Sequence, residues 1–231
     1  ENGRCEGSNA HGDTYGPVAY LAYVPAVAAL GWSGVWDGLP AAHATAIALD
    51  LLVLLGLALL GLRLAGTRLA ATLAFAWTVF PFTSYALLAN TNDAIMPAAL
   101  VWGLVGVTSA PARGVAVALA GWAKFAALLV APLWLTYPDA GRARERRGFV
   151  VGFVAATLAA FSILLLEPDL FEAVKTFWER TFEFQFDRES PFSIWGWGQY
   201  HAEGIPDLEP GRWLVQAAAL ALAGVAAVLP V

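Results

Sequence analysis

The sequence has one cysteine, one methionine and three histidines, and only 13% of its 231 residues are charged. Cys5 has no partner within the chain, so a disulfide framework is excluded. The three histidines are scattered and stand apart from Cys5, so no metal site of His and Cys ligands is expected. No P-loop, dinucleotide fingerprint, HExxH, CxxC or GxSxG occurs. Nucleotide-driven work and nucleophile-elbow hydrolysis therefore have no motif here, and no cofactor is expected. The formal net charge is -5, which leaves no basic footprint for nucleic acid. What is abundant is apolar: 59% of the residues are hydrophobic, gathered into long Ala/Leu/Val/Gly runs. A soluble domain of this size has too little interior to hide such runs; a bilayer removes the need.

A membrane-spanning helix needs about 20 apolar residues. Segments 40–63, 69–89, 94–109, 113–137, 149–166 and 213–231 read as membrane helices, all-α, in a polytopic bundle. Their small residues favour close helix–helix packing. Segment 17–32 is too short to span comfortably and reads as an interfacial helix. The chain opens at Glu1 and closes inside an apolar run, so it reads as a fragment of a longer protein, one transmembrane domain over 1–231. Orientation follows Lys and Arg in short loops. Arg142, Arg144, Arg146 and Arg147 mark a cytoplasmic loop. If 113–137 is two half-membrane helices meeting near Lys124, then Arg113, Arg63 and Arg68 fall on that same side. Lys124 then lies near the outer surface. The outer face holds loop 1–16, the Ser33–Leu39 turn, the Asn90–Asp93 corner and loop 167–212. That last loop opens with an amphipathic helix over 169–184, apolar at Leu170, Phe171, Val174, Phe177 and Phe182, of the kind that rests on a membrane surface. Many of the ten Trp and thirteen Phe stand near the ends of apolar runs, where rings favour the headgroup zone.

Polar groups at membrane depth are costly and mark function by default. Asp50 lies midway along the first span, where it is either a functional acid or a hydrogen-bonding tie to a neighbouring helix. Lys124 interrupts an apolar stretch, either as a ligand for an anion or as a snorkelling side chain. Asn90, Asn92 and Asp93 cluster where one span ends and the next begins, a place that also suits helix caps. Asp13 and Tyr15 precede Gly16-Pro17. Arg188, Ser190, Trp195, Trp197, Tyr200 and His201 lie in an aromatic, polar stretch of the outer loop. Together these describe a polar outer rim with a cation able to hold a phosphate, rings able to stack on sugar faces, and a carboxylate able to act as general base.

The order of segments is familiar at this point. Asp13-Thr-Tyr-Gly-Pro-Val-Ala-Tyr-Leu-Ala-Tyr-Val-Pro25 resembles the Tyr/Pro-rich segment that ends the first outer loop of C-type membrane glycosyltransferases. Asn90-Thr-Asn-Asp93 resembles their outer Gly/Asn-rich corner. Ala120-Gly-Trp-Ala-Lys-Phe-Ala-Ala-Leu-Leu-Val-Ala-Pro132 is similar to their Lys- and Pro-containing segment, with Ala127 where a proline is usual. Thr181 to Gly196, through Arg188, is similar to an outer-loop stretch of the actinobacterial type. The best overall resemblance is to glycosyltransferase family 87, the polyprenol-phosphate-mannose-dependent mannosyltransferases. It implies a cell-membrane hexosyltransferase working on the extracytoplasmic face. The donor would be a polyprenyl-phosphate sugar and the acceptor a lipid or glycan, with membrane lipids as the other partners and no nucleic acid. It implies Asp13 as catalytic base, the family's usual aspartate belonging to a preceding loop, and substrate-binding roles for Lys124, Arg188, Asn90, Asn92, Asp93, Tyr15, Ser190, Trp195 and His201. The alternative class is a multi-pass transporter or lipid flippase, since broken helices around a polar site also serve transport.

Overall fold

The computed structural model describes residues 15–31, 38–138, 143–183 and 208–228. Among the described residues every regular element is helical and no strand occurs. Two short helices, α1 (Pro17–Leu21) and α2 (Val24–Leu30), lead to the long α3 (Pro40–Ala65). Gly66, at φ 80, reverses the chain in one residue, a conformation that costs glycine little. Helix α4 (Thr67–Val79) then packs back along α3.

The expected single span 69–89 is instead two helices, α4 and α5 (Pro81–Leu88), bent by 60°. Pro81 explains the bend. Its ring removes a donor and disfavours a helical residue before it, and Phe80 is accordingly extended at φ -70, ψ 121. A 3-10 turn (Asn92–Ala94) feeds α6 (Ile95–Val105). Helix α7 (Ala110–Ala123) follows, with Ser109 accepting from the Ala112 N–H at 3.4 Å as its cap.

The chain reverses at Lys124, whose backbone is extended at φ -145, ψ 117. A 3-10 segment (Phe125–Val130) and α8 (Ala131–Thr136) then run back beside α7. Helix α9 (Ala143–Phe161) begins earlier than the sequence pattern indicated and takes Arg144, Arg146 and Arg147 into its first turns. A 3-10 turn (Ser162–Leu166) extends it. Then come α10 (Leu170–Trp178), a π turn (Glu179–Glu183) and α11 (Arg212–Val228). Asp169 caps α10 by accepting from the Phe171 and Glu172 N–H groups at 2.9 and 3.1 Å.

Helix α7 is the centre of the packing, flanked by α6, α9 and its own return segment. Contact with α9 depends on missing side chains. A Cβ on Gly114 would strike the Phe149 carbonyl, and one on Gly152 would strike the Pro111 carbonyl. Three tryptophans tie neighbouring helices: Trp77 Nε1 donates to Asp50 Oδ1 at 2.7 Å, Trp102 Nε1 to the Leu52 carbonyl at 3.0 Å, and Trp122 Nε1 to Thr157 Oγ1 at 2.8 Å.

Outward faces are apolar. Leu51, Leu55 and Leu62 of α3, Leu158 of α9 and Leu220 and Leu222 of α11 are all exposed, an apolar surface of a kind that water-soluble monomers avoid. Two helical stretches, Pro40–Ala65 and Ala143–Leu166, are long and apolar enough to cross a membrane, and the bent α4–α5 pair would make a third.

Candidate functional site at the reversal of the chain

Because α6 and α7 run in opposite directions, the start of α6 and the end of α7 share one end of the packing. Asp93 stands just before α6, and Lys124 just after α7. Each charge suits its place: a carboxylate opposes the positive end of one helix dipole, and an ammonium the negative end of the other. Lys124 Nζ donates to Asp93 Oδ1 in a direct ion pair. Thr91 Oγ1 donates to the other carboxylate oxygen, Oδ2, at 2.6 Å. Both carboxylate oxygens are thus engaged, yet the Asp93 side chain remains 50% exposed and that of Lys124 26%.

Trp122 and Phe125 hold the reversal in place. The first bonds to Thr157, and the second stacks on Phe182 at 4.6 Å. Lys124 lies between these two anchors and reaches Asp93. Above the ammonium sits the Tyr15 ring, its centroid 5.4 Å from Nζ, within cation–π range. Gly16 makes this approach possible, since any Cβ there would strike the Trp122 carbonyl. Helix α1 then buries Val18 and Ala19 against Ile95, Ala123 and Ala160. Gly16, Pro17, Val18 and Ala19 are therefore packed against the helix ends, while Tyr15 stays exposed.

Burial works to raise the Asp93 carboxyl, but hydrogen bonds from Lys124 and Thr91 and the Lys124 charge outweigh it and hold its pKa below the ordinary 3.8. The Tyr23 hydroxyl is pushed above its ordinary 10.0, first by burial and then by the neighbouring Asp93 and Tyr15. The carboxylate is therefore ionised at neutral pH and the phenol keeps its proton.

A cavity of about 180 Å³ opens beside Asp93 in the elbow of the α4–α5 bend. Asp93 and Asp50 line it, with Trp77, Phe80, Phe82 and Thr83. Asp50 accepts from Trp77 across the helix pair, the tie that its mid-span position allows. Rings and carboxylates facing one cavity suit a ligand with both apolar faces and hydroxyl donors. Among the described residues no three His, Cys, Asp or Glu side chains converge as a metal-binding group.

Of the residues singled out from the sequence, the structure brings together Tyr15, Asp93 and Lys124. Asn90 has another task. At φ 52 it ends α5, donating its N–H to the Leu87 carbonyl at 3.2 Å while the Thr91 N–H reaches the Ala86 carbonyl at 3.0 Å. This is the left-handed helix stop that asparagine tolerates. Asn92 opens the 3-10 turn that presents Asp93. Asp13, Arg188, Ser190, Trp195, Trp197, Tyr200 and His201 lie outside the described residues.

Sequence reasoning missed Thr91 and Tyr23. The signal for Thr91 was its position two residues before an acid at a helix start, a capping arrangement. Arg113 also differs from expectation. Read as a loop cation, it is fully buried in the first turn of α7. No protein-family model, curated protein or solved structure matches this chain.

Proposed function

We propose that this chain belongs to a multi-pass membrane glycosyltransferase that moves a hexose, mannose by resemblance, from a polyprenyl-phosphate donor to an acceptor on the extracytoplasmic face. One observation carries the reading: Asp93, paired with Lys124 beneath the Tyr15 ring, lines the cavity in the α4–α5 elbow. In the transfer, the acceptor hydroxyl attacks the anomeric carbon and the bond from that carbon to the phosphate oxygen breaks. The electron pair leaves with the phosphate, and the hydroxyl proton passes to a carboxylate. A single displacement inverts the anomeric configuration.

Lys124 is the cation placed to neutralise the leaving phosphate. Asp93 is the described carboxylate placed to take the proton, an assignment that stands beside the sequence expectation of Asp13. The resting ion pair fits this division of labour. When Lys124 turns to a donor phosphate, Asp93 loses the contact that depresses its pKa and becomes a stronger base. Rings at Trp77, Phe80 and Phe82 give the cavity surfaces for a sugar or the first part of a prenyl chain.

The test is transfer of radiolabelled mannose from polyprenyl-phosphate-mannose by membranes containing the full protein. Asp93→Asn is expected to lower transfer by about 10²–10⁴-fold, the range for a lost general base, while the protein still inserts and remains folded. Full transfer by both Asp93→Asn and Lys124→Ala would remove the roles given to them.

One observation favours the second reading, a transporter. Asp50 lies mid-helix and lines the same cavity as Asp93. Under that reading Asp50→Asn abolishes solute counterflow in proteoliposomes. Under the transferase reading, Asp50→Asn weakens transfer less than Asp93→Asn does.

A further inference from the structure

A second cavity, of about 290 Å³, lies between α1 and the segment formed by the 3-10 turn after α9, α10 and the π turn, with Tyr15 in its lining. Its walls include Tyr15, Tyr20, Phe161, Leu164 and Phe177, and among the described residues Arg180 is the one charged group lining it. The volume approaches the lower end of small-molecule sites, about 300 Å³.

The π turn shapes the opening. One extra residue per turn, a feature common at functional sites, turns Thr181 inward to 1% exposure and leaves Arg180 exposed at the mouth. Among the described residues Arg180 forms no ion pair. Its neighbour Glu179 faces Lys175 at 3.9 Å, and Glu183 does not line the cavity. On α10, Leu170, Val174 and Trp178 are exposed at i, i+4 and i+8, an apolar stripe suited to lie in a lipid leaflet.

An apolar slot, a guanidinium with no ion pair among the described residues and an exposed apolar stripe on α10 match one ligand chemistry: a phosphate head above an apolar chain. We infer that this groove is a second lipid site, which seats one acyl chain of an anionic phospholipid from the surrounding leaflet with its phosphate on Arg180. Arg180 can meet a phosphate with two parallel N–H donors. The Thr176 hydroxyl also lines the groove. The inference rests on the membrane part of the reading above and is independent of sugar transfer. Tyr15 belongs to both arrangements: its ring lies over Lys124, and the residue lines the groove. Occupancy of the groove thus bears on the position of the ring that covers the ion pair.

The experiment uses the full protein in phosphatidylcholine nanodiscs with a trace of phosphatidic acid carrying a diazirine near the top of one acyl chain. After illumination, labelled peptides are expected to map to Phe161–Leu164 and Thr176–Phe177. Arg180→Ala should reduce that labelling about fivefold, the effect of one basic side chain at an anionic lipid surface, and Arg180→Lys should retain most of it. A phosphatidylcholine diazirine probe should label the same peptides weakly and respond little to Arg180→Ala. Excess inorganic phosphate should compete poorly, because it lacks the chain. Leu164→Trp, which fills the slot, should remove labelling even where Arg180 is intact. Equal labelling by the two headgroups, labelling untouched by Arg180→Ala, or crosslinks confined to other helices would each overturn the site. Efficient competition by inorganic phosphate would show a bare anion site in place of a lipid site. Loss of sugar transfer with labelling intact would count against the transferase reading alone.

Discussion

Arg113 and Lys124 stand near the two ends of one helix and meet opposite fates. Arg113 lies in the first turn of α7, where the helix dipole disfavours a cation. The fold surrounds it with acceptors. Nε donates to the Trp134 carbonyl at 3.1 Å, Nη1 to the Val107 carbonyl, and Nη2 to the Tyr137 carbonyl at 2.7 Å and to Glu145 at 3.0 Å. The Tyr137 ring lies 5.3 Å from the guanidinium carbon. The Arg113 side chain is 0% exposed. These contacts join the α6–α7 turn, the end of α8 and the start of α9, and they use the cation completely. Lys124 also has a tyrosine ring and a carboxylate. Its partner, however, is one half-exposed side chain, and a cavity adjoins that partner. Fixed carbonyls from three elements make a cation structural. A single exchangeable partner beside a cavity leaves a cation free to meet a ligand.

Four expected effects break or sharpen this contrast. Arg113→Ala has the largest expected effect. It strands Glu145 and three carbonyls, and removing one partner of a buried pair costs about 3–5 kcal/mol. Denaturant unfolding of the detergent-solubilised protein should register that loss; an unchanged midpoint would make the buried network dispensable. Gly16→Val comes next. The new side chain must displace the Trp122 backbone or push Tyr15 off Lys124, at a cost of about 1–3 kcal/mol for overpacking. Quenching of Tyr15 fluorescence by a soluble agent, in a variant whose other tyrosines are replaced by phenylalanine, should rise if the ring moves.

The third effect is a pH dependence. The folded carboxyl of Asp93 titrates below its ordinary 3.8, so the pair's contribution to stability is present above 3.8 and is lost as pH falls through the lower folded value. The difference in melting temperature between the parent and Asp93→Asn should hold from neutral pH down to that region and shrink below it. A difference that vanished already near pH 6 would contradict the assignment. Because the carboxylate is half exposed, the difference is small throughout. Smallest of all is Asn90→Gly, which keeps the left-handed backbone at φ 52 and should change stability by no more than about 0.5 kcal/mol. Asn90→Ala, which strains it, should cost about 1 kcal/mol. Loss of function in Asn90→Gly would return that side chain to the site.

The sequence made several of these elements legible. The start of α3, the interruption at Lys124 and the amphipathic face of α10 each follow from a local signal: a Pro at a first turn, a charge in an apolar run, a helical stripe. Asp93, Lys124 and Tyr15 were each visible as polar or aromatic groups near the ends of apolar segments. Their convergence was not, because it depends on α6 and α7 running antiparallel and on Gly16 docking against Trp122. Arg113 reads as a loop cation because a lone arginine between Pro111 and Gly114 shows nothing of the carbonyls that enclose it. They come from residues 107, 134 and 137, distant in sequence. Asn90 reads as a binding residue because its left-handed backbone, the reason for asparagine there, has no local composition signal beyond the residue itself.

The central claim is that Lys124 serves the reaction while Arg113 serves the fold. The direct test measures mannose transfer and unfolding midpoint side by side for Lys124→Ala and Arg113→Ala in the full protein. The account predicts that Lys124→Ala loses transfer while its stability falls by no more than about 1 kcal/mol, and that Arg113→Ala unfolds early. A Lys124→Ala protein that transfers mannose normally, or that unfolds as readily as Arg113→Ala, would contradict it.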